Sequence, residues 1–284
     1  MHRFLHGVGG VGTDLTASDT TTPSPTDPTD PIAGLARRAE TLRGLHRRGD
    51  PIVLVNVWDA ASARCVATAG AAAVATSSAA VAESLGVPDD NTMDPDLAFT
   101  SIRRIAGAVD LPVTADLEAG YELAPKEIVQ RLLHAGAVGC NLEDSDHRRP
   151  GALVDPDDMA ALVSDVRTAA ASVRVPIVVN ARIDVLRHRA GEPSALTDDI
   201  VRRARAYLDA GADCVFPIGV GDPQTAWHLV AAIDGCVNTG LGAGVTVEQM
   251  AEAGVSRISF GPTWYRRAIA DLGDRAAQVL RWKP

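Results

Sequence analysis

Two carboxylates pose the first chemical question in this chain. Asp116 and Glu118 lie in the stretch from Leu111 to Tyr121, which reads LPVTADLEAGY. The mostly apolar run before them, opened by Pro112, predicts a buried strand, and Gly120 breaks the regular backbone after it. Residues two apart share one side of a strand, so both acids are expected to face one space. Two negative charges held together need a cation or a shared proton. Oxygen-only ligands of this kind suit Mg²⁺, with Mn²⁺ as a second choice. Taken alone, the stretch also reads as a polar loop following a strand.

The chain that must position these acids has 284 residues and a net charge of −9. That length fits one large α/β domain or two small ones. The acidic balance, with arginines at most in adjacent pairs such as Arg148 and Arg149, argues against nucleic acid as a partner. No apolar run approaches the roughly 20 residues needed to span a membrane. Cys65, Cys140, Cys214 and Cys236 form no C-x-x-C pair. They are expected to be small buried thiols in a reducing cytosol, three of them on strands. The start, Met1 to Leu15, lacks a continuous apolar core and a clear cleavage site. A cytoplasmic protein is therefore expected.

Residues 1–31 read as a disordered tail, because the run from Ser18 to Pro31 contains only Ser, Thr, Asp and Pro. A helix is expected from Ile32 to Arg48, then a first strand from Ile52 to Val57. Asp59 can cap a second helix running to about Ala69. A repeated punctuation follows. Ala69-Gly70-Ala71, Ala135-Gly136-Ala137, Ala210-Gly211-Ala212 and Ala253-Gly254-Val255 each end a helical pattern and lead into a β-like run. Glycine past a helix end takes the left-handed conformation at little steric cost. Strands are expected near Ile52, Ala73, Leu111, Val138, Pro176, Asp213, Cys236 and Ser256. Between them lie helical patterns over 94–109, 125–135, 156–172, 195–210, 223–233 and 246–253. Pro125, Pro156 and Pro223 stand where a first helical turn would start. The fold expected over residues 32–284 is an α/β, (β/α)₈ TIM-type barrel with an extra N-terminal helix and a C-terminal helix from Pro262 to about Arg281.

In such a barrel the active site lies at the C-terminal ends of the strands. The first strand offers Asn56, Trp58 and Asp59 there, and the second Thr76, Ser77 and Ser78. The third brings Asp116 and Glu118, and the fourth Asn141, Glu143, Asp144 and Ser145. The fifth contributes Asn180 and Arg182, and the seventh Asn238 and Thr239. Acids concentrate after the third and fourth strands, with one arginine after the fifth. That layout suits a divalent cation facing an anionic substrate. Arg182 can grip a carboxylate through two parallel hydrogen bonds. Ser77 and Ser78 can bind another anionic oxygen, and Trp58 and Asn180 complete the substrate-binding set. Solvated loop residues with ion pairs are the structural alternative. No G-x-G-x-x-G opens a helix after the first strand, so a dinucleotide site is not expected.

In this order, the segments from Asn56 to Arg64, Ala75 to Ala79, Leu85 to Asp89, Ala115 to Tyr121, Asn141 to Asp144 and Val179 to Arg182 resemble the isocitrate lyase/phosphoenolpyruvate mutase superfamily. The resemblance covers about Ile52 to Leu272. It implies a Mg²⁺-dependent barrel acting on 2-oxo or 2-hydroxy carboxylates through an enolate-like species. By position Asp116 matches the metal-binding aspartate, and Glu118 falls where most members have a second aspartate. Glu143 and Asp89 match acids that hold the metal's water shell. Ser77 and Ser78 match the segment that binds a carboxylate or phosphonate, and Arg182 matches the substrate-gripping arginine. The resemblance also implies a homo-oligomer, dimer or tetramer, in which the last helix is exchanged between subunits.

The chain departs from the pattern at three places. The loop after the fourth strand, Ser145 to Gly151, lacks the lyase Lys-Lys/Arg-Cys-Gly-His motif and its acid/base cysteine. The Asp-Lys…Pro-Lys-x-Asn loop of phosphonomutases and phosphonopyruvate hydrolases is missing too. Ile218 replaces the usual histidine or glutamate after the sixth strand. The expected activity is Mg²⁺-assisted C–C cleavage, by retro-aldol or decarboxylation, of a small 2-oxo or 2-hydroxy carboxylate. His147 or Arg148 would supply the missing acid/base group, and Arg182 and Asp89 would complete the catalytic set. The alternatives are C–P chemistry on a phosphonate and a non-catalytic carboxylate-binding homologue.

Overall fold

The computed structural model describes residues 30–190 and 193–281. The tail expected over residues 1–31 therefore lies outside the described residues, except that Asp30 caps and Pro31 begins the first helix. That helix, α1 (Pro31–Gly44), carries Leu42 into the core, and Arg43 reaches the carbonyls of Pro176 and Ile177 and the carboxylate of Asp213. Gly139 receives Leu42, since a Cβ there would stand 2.8 Å from Leu42 Cδ2. The extra N-terminal helix thus closes the end of the barrel opposite the acids.

The strands are β1 (Ile52–Leu54), β2 (Asn56–Val57), β3 (Val74–Thr76), β4 (Val113–Asp116), β5 (Gly139–Glu143), β6 (Val178–Ile183), β7 (Cys214–Pro217), β8 (Cys236–Thr239) and β9 (Arg257–Ser259). All pair in parallel. The expected eight become nine because the first breaks at Val55. Its first half pairs with β9 and its second with β3, so one interrupted strand path joins the two sides of the sheet.

Around the sheet run α2 (Ala60–Thr68), α3 (Ser78–Leu85), α4 (Pro95–Ala106), α5 (Pro125–His134), α6 (Pro156–Ser172), α7 (Val185–His188), α8 (Pro193–Asp209), α9 (Pro223–Ala232), α10 (Val247–Glu252) and α11 (Thr263–Leu280). The punctuation works as its chemistry dictates. Gly70, Gly136, Gly211 and Gly254 all have φ between 85° and 103°. Pro125, Pro156 and Pro223 each open a helix, and Asp59 caps α2 through a bond from the Ser62 N–H. The two short helices α3 and α7 have no counterpart in the sequence pattern. Cys140 and Cys214 are buried on strands, as expected, and Cys236 is partly buried. Cys65 is exposed on α2, against the expectation of a buried thiol, because its helix turns that position away from the sheet. Among the described residues no helix is long and apolar enough to cross a membrane.

Candidate active site

The C-terminal ends of the strands hold two adjacent cavities of about 310 and 300 Å³. Ser77, Ser78, Asp116, Asn141 and Phe216 line the first, and Glu118, Glu143, Ser145, His147 and His188 the second. Asp89, Arg182 and Arg187 line both.

Asp116 ends β4. Its N–H is held by Thr76 Oγ1 at 2.9 Å, and its Oδ2 accepts from the Ser78 N–H at 3.3 Å and the Ser78 hydroxyl at 3.1 Å. The short helix α3 exists to present Ser78, and the Ser77 hydroxyl caps it through the Ala80 N–H. Asp116 Oδ1 is buried and has no partner.

Glu118 reaches the site by a different route from the one strand alternation predicts. β4 has ended by then, and Glu118 sits in the left-handed region at φ 50°. Asn91, Tyr121 and Glu122 are left-handed as well, a concentration of conformations that cost non-glycine residues on the order of 1 kcal/mol each. Asn91 links them: its N–H donates to Glu118 Oε2 and its Oδ1 accepts from the Tyr121 N–H at 2.9 Å. Glu118 Oε1 and Asp89 Oδ1 are buried without partners. Burial, and then the Asp89 charge, push the Glu118 carboxyl up to about 8. Burial, followed by Asp116, raises Asp89 also.

Glu143 has both oxygens engaged, and Arg182 is bound to two acids. The guanidinium meets Glu143 Oε2 at 2.5 Å and Asp184 Oδ1 at 2.7 Å, with a further bond to Asp184 Oδ2 at 2.7 Å. Burial works to lower the Arg182 pKa, but Glu143 and Asp184 raise it more, so the group sits above its ordinary value. The other oxygen of Glu143 meets His147 Nε2 at 2.8 Å. That bond raises the His147 pKa above its ordinary value against the opposing effect of burial. Burial raises Glu143 itself.

Several expected site residues lie elsewhere. Trp58 lines neither cavity. The α2 cap turns the chain outward after β2, and the indole packs edge-on against Tyr265 with ring centroids 5.2 Å apart. Asn180 is fully buried below the cavities, where its amide donates to Asn141 Oδ1 at 2.8 Å. Asp144 points away from the rim to α8, accepting from Tyr207 at 2.7 Å and Arg203 at 2.9 Å. Arg148 is exposed and turned toward Asp146. Sequence reasoning missed Asn91, Arg187 and His188. Asn91 lies in a loop without periodicity, and the other two lie on the one-turn helix α7.

The donor set fits a divalent cation. Asp89, Asp116 and Glu118 each bring a buried carboxylate oxygen with nothing bonded to it, and unpaired buried charge of one sign calls for a counter-ion. Among the described residues no three His, Cys, Asp or Glu side chains are gathered closely enough to hold an ion by themselves. Such an arrangement suits an ion that keeps several of its waters, as Mg²⁺ does.

Residues 42–280 match the family model described as phosphoenolpyruvate phosphomutase. An uncharacterized protein of Mycobacterium tuberculosis is 33% identical over 240 residues, covering 83% of this chain and 87% of that one. The 2-methylisocitrate lyase of Escherichia coli is 30% identical over 189 residues, 63% of this chain and 61% of the lyase. A crystal structure from Burkholderia cenocepacia, provisionally assigned as a phosphonomutase, superposes with a TM-score of 0.80 at 41% identity. The match covers 86% of this chain and 99% of the other.

Proposed function

This chain belongs to the isocitrate lyase/phosphoenolpyruvate mutase superfamily of lyases and mutases, and from that premise we propose that it cleaves a C–C bond in a small 2-oxo or 2-hydroxy carboxylate with the help of Mg²⁺ or Mn²⁺. The observation that carries the reading is the set of unpartnered oxygens on Asp89, Asp116 and Glu118. Asp116 and Glu118 would hold the ion, with Asp89 on its water shell. Both oxygens of Glu143 are engaged, so it would act from behind, through Arg182 and His147. A bound divalent cation would supply Lewis acidity for the substrate's carbonyl and carboxylate oxygens.

The protein's own groups would do the rest. Ser78 orients Asp116 so that one oxygen stays free. At the N-terminal end of α3 the Ser77 hydroxyl would offer its proton to a substrate carboxylate, while both Ser78 donors are held on Asp116. Arg182, pinned on two acids, sets the shape and charge of the wall between the cavities. In a retro-aldol step the Asp89 carboxylate would take the 2-hydroxyl proton, the hydroxyl oxygen would become a carbonyl as the C–C bond breaks, and the electron pair of that bond would pass to the departing enolate carbon. His147, which lines the second cavity and whose pKa the bond to Glu143 raises, would protonate that carbon.

A second reading, C–P chemistry on a phosphonate, is favoured by the 41% identical Burkholderia neighbour. Against it, no lysine lines either cavity to accompany a moving phosphoryl group. Incubation with Mg²⁺ and a panel of oxaloacetate, 2-methylisocitrate, 2,3-dimethylmalate and phosphonopyruvate decides between them. A 2-oxo acid or oxalate released from the carbon acids is the expected result. Phosphoenolpyruvate or phosphate formed from phosphonopyruvate, with the carbon acids untouched, would establish the second reading instead.

We also propose a homo-oligomer in which α11 crosses to a neighbouring subunit. Its 18 residues include none that is buried, and Trp264, Ile269, Leu272, Val279 and Leu280 are exposed. An apolar groove of about 770 Å³ lies open beside α2, lined by Val53, Val55, Val66 and Trp264. An amphipathic helix with no buried residue, bordering an open apolar groove, is the pattern expected of exchanged elements.

A further inference from the structure

The wall between the two cavities carries a cation with no ion-pair partner among the described residues, its charge felt by Asp89 across the cavities. Arg187 stands on α7, immediately after β6, and lines both cavities. The other arginine there, Arg182, is bound to Glu143 and Asp184. Among the described residues Arg187 makes no ion pair and no side-chain hydrogen bond, and its side chain is exposed. Its backbone is nevertheless fixed. The Arg187 N–H donates to the Asp184 carbonyl at 2.9 Å, and Val185 beside it is fully buried. Asp184 is in turn held by Arg182 and by the Ser145 hydroxyl at 2.6 Å. The guanidinium is thus carried on an anchored turn with its donors unused.

One stretch of the first cavity's wall carries no ionisable side chain. It consists of Phe216, Ile218 and the glycines Gly219, Gly221, Gly240 and Gly242. Gly242 is confined there, because a Cβ would fall 2.7 Å from the Gly221 carbonyl oxygen. A substrate carboxylate placed at Ser77 and Ser78 leaves the rest of the molecule between this featureless wall and Arg187.

We propose that Arg187 determines specificity by binding a distal oxyanion group of the substrate, a carboxylate or phosphonate beyond the 2-oxo or 2-hydroxy acid unit. This rests on the reading of the site given above. The planar guanidinium can give such a group two parallel charge-assisted hydrogen bonds. The site then selects di- and tricarboxylates, or phosphono acids, over monocarboxylates of the same core.

The test is calorimetric titration of the full chain with Mg²⁺ present, using lactate, malate and 3-phosphonolactate, which share a core and differ in the distal group. Wild type is expected to prefer at least one dianionic ligand to lactate by about 10- to 100-fold, the range for hydrogen bonds to a charged group. In Arg187→Gln that preference should collapse to within about threefold, and Arg187→Lys should restore part of it. Whichever of malate and 3-phosphonolactate loses more identifies the distal group. A dianion preference that survives in Arg187→Gln overturns the assignment of Arg187 and leaves the carboxylate site standing. A wild type that binds Mg²⁺ but none of the three acids overturns the site reading, and this inference with it.

Discussion

Replacing Glu118 by glutamine tests whether the acids form an unneutralised cluster. Glu118 is 2% exposed, and burial lifts its carboxyl from the ordinary 4.5 to about 8. Below pH 4.5 it is protonated in both the folded and the unfolded chain and affects stability little. Between pH 4.5 and 8 the unfolded chain releases a proton that the folded chain retains, so stability falls by about 1.4 kcal/mol per pH unit. Above pH 8 the loss is complete. Between pH 5 and pH 8 it integrates to about 3.5 kcal/mol. Glu118→Gln keeps the volume and an acceptor for the Asn91 N–H but cannot ionise. In EDTA, at fixed protein concentration, urea unfolding followed by circular dichroism should show wild type losing about 3–4 kcal/mol more than the variant between these pH values. Saturating Mg²⁺ should shrink the gap, because the ion stabilises the ionised native cluster selectively. Two parallel pH profiles in EDTA would refute the argument, since Glu118 would then carry no electrostatic cost.

Asp116→Asn should weaken Mg²⁺ binding by about 100-fold or more and cut turnover by about a thousandfold, measured by titration and product assay on protein whose melting point confirms folding. His147→Gln should lower kcat by about 10²- to 10⁴-fold with a smaller change in KM. Wild-type rate should fall as pH rises through a value above the ordinary histidine pKa of 6.5, and the variant should lack that limb. Gly242→Ala forces a Cβ against the Gly221 carbonyl at 2.7 Å and should cost about 1–3 kcal/mol in urea unfolding. Ending the chain after Pro262 removes α11, and light scattering should then report a smaller assembly than wild type; an unchanged mass would exclude helix exchange.

The barrel was legible because its signals are local and repeated. Gly70, Gly136, Gly211 and Gly254 end helices for a steric reason that acts within one turn, and the helix-opening prolines do the same at the other end. Asp116 was legible for a similar reason, as the last residue of a strand whose direction the fold fixes. Glu118 shows where this reasoning stops. Its identity and place in the chain were visible, but its entry into the site depends on a left-handed turn braced by Asn91, 27 residues away. Arg187 was invisible because a single helical turn is too short to carry a period.

Arg257 exposes the deeper limit. Ser256-Arg-Ile-Ser259 alternates as a strand with Ile258 inward and Arg257 outward would, yet Arg257 is wholly buried. In a parallel barrel both faces of every strand are covered, so alternation separates two sets of residues without saying which faces the axis. Pairing supplies that sign. Arg257 is in register with Ile52 and Asn238, its Nη2 reaches Asn141 Oδ1 at 3.2 Å and its Nε reaches Ser259 Oγ at 3.1 Å. Its Nη1 has no partner, and burial draws its pKa down to about 10. Cys214 and, after it, Asp116 oppose that fall electrostatically. The chain therefore keeps a positive charge among the polar side chains below its metal-ligand candidate, although no carboxylate is paired with it among the described residues. A buried cation of this kind is costly, and its hydrogen bonds to Asn141 and Ser259 offset part of that cost.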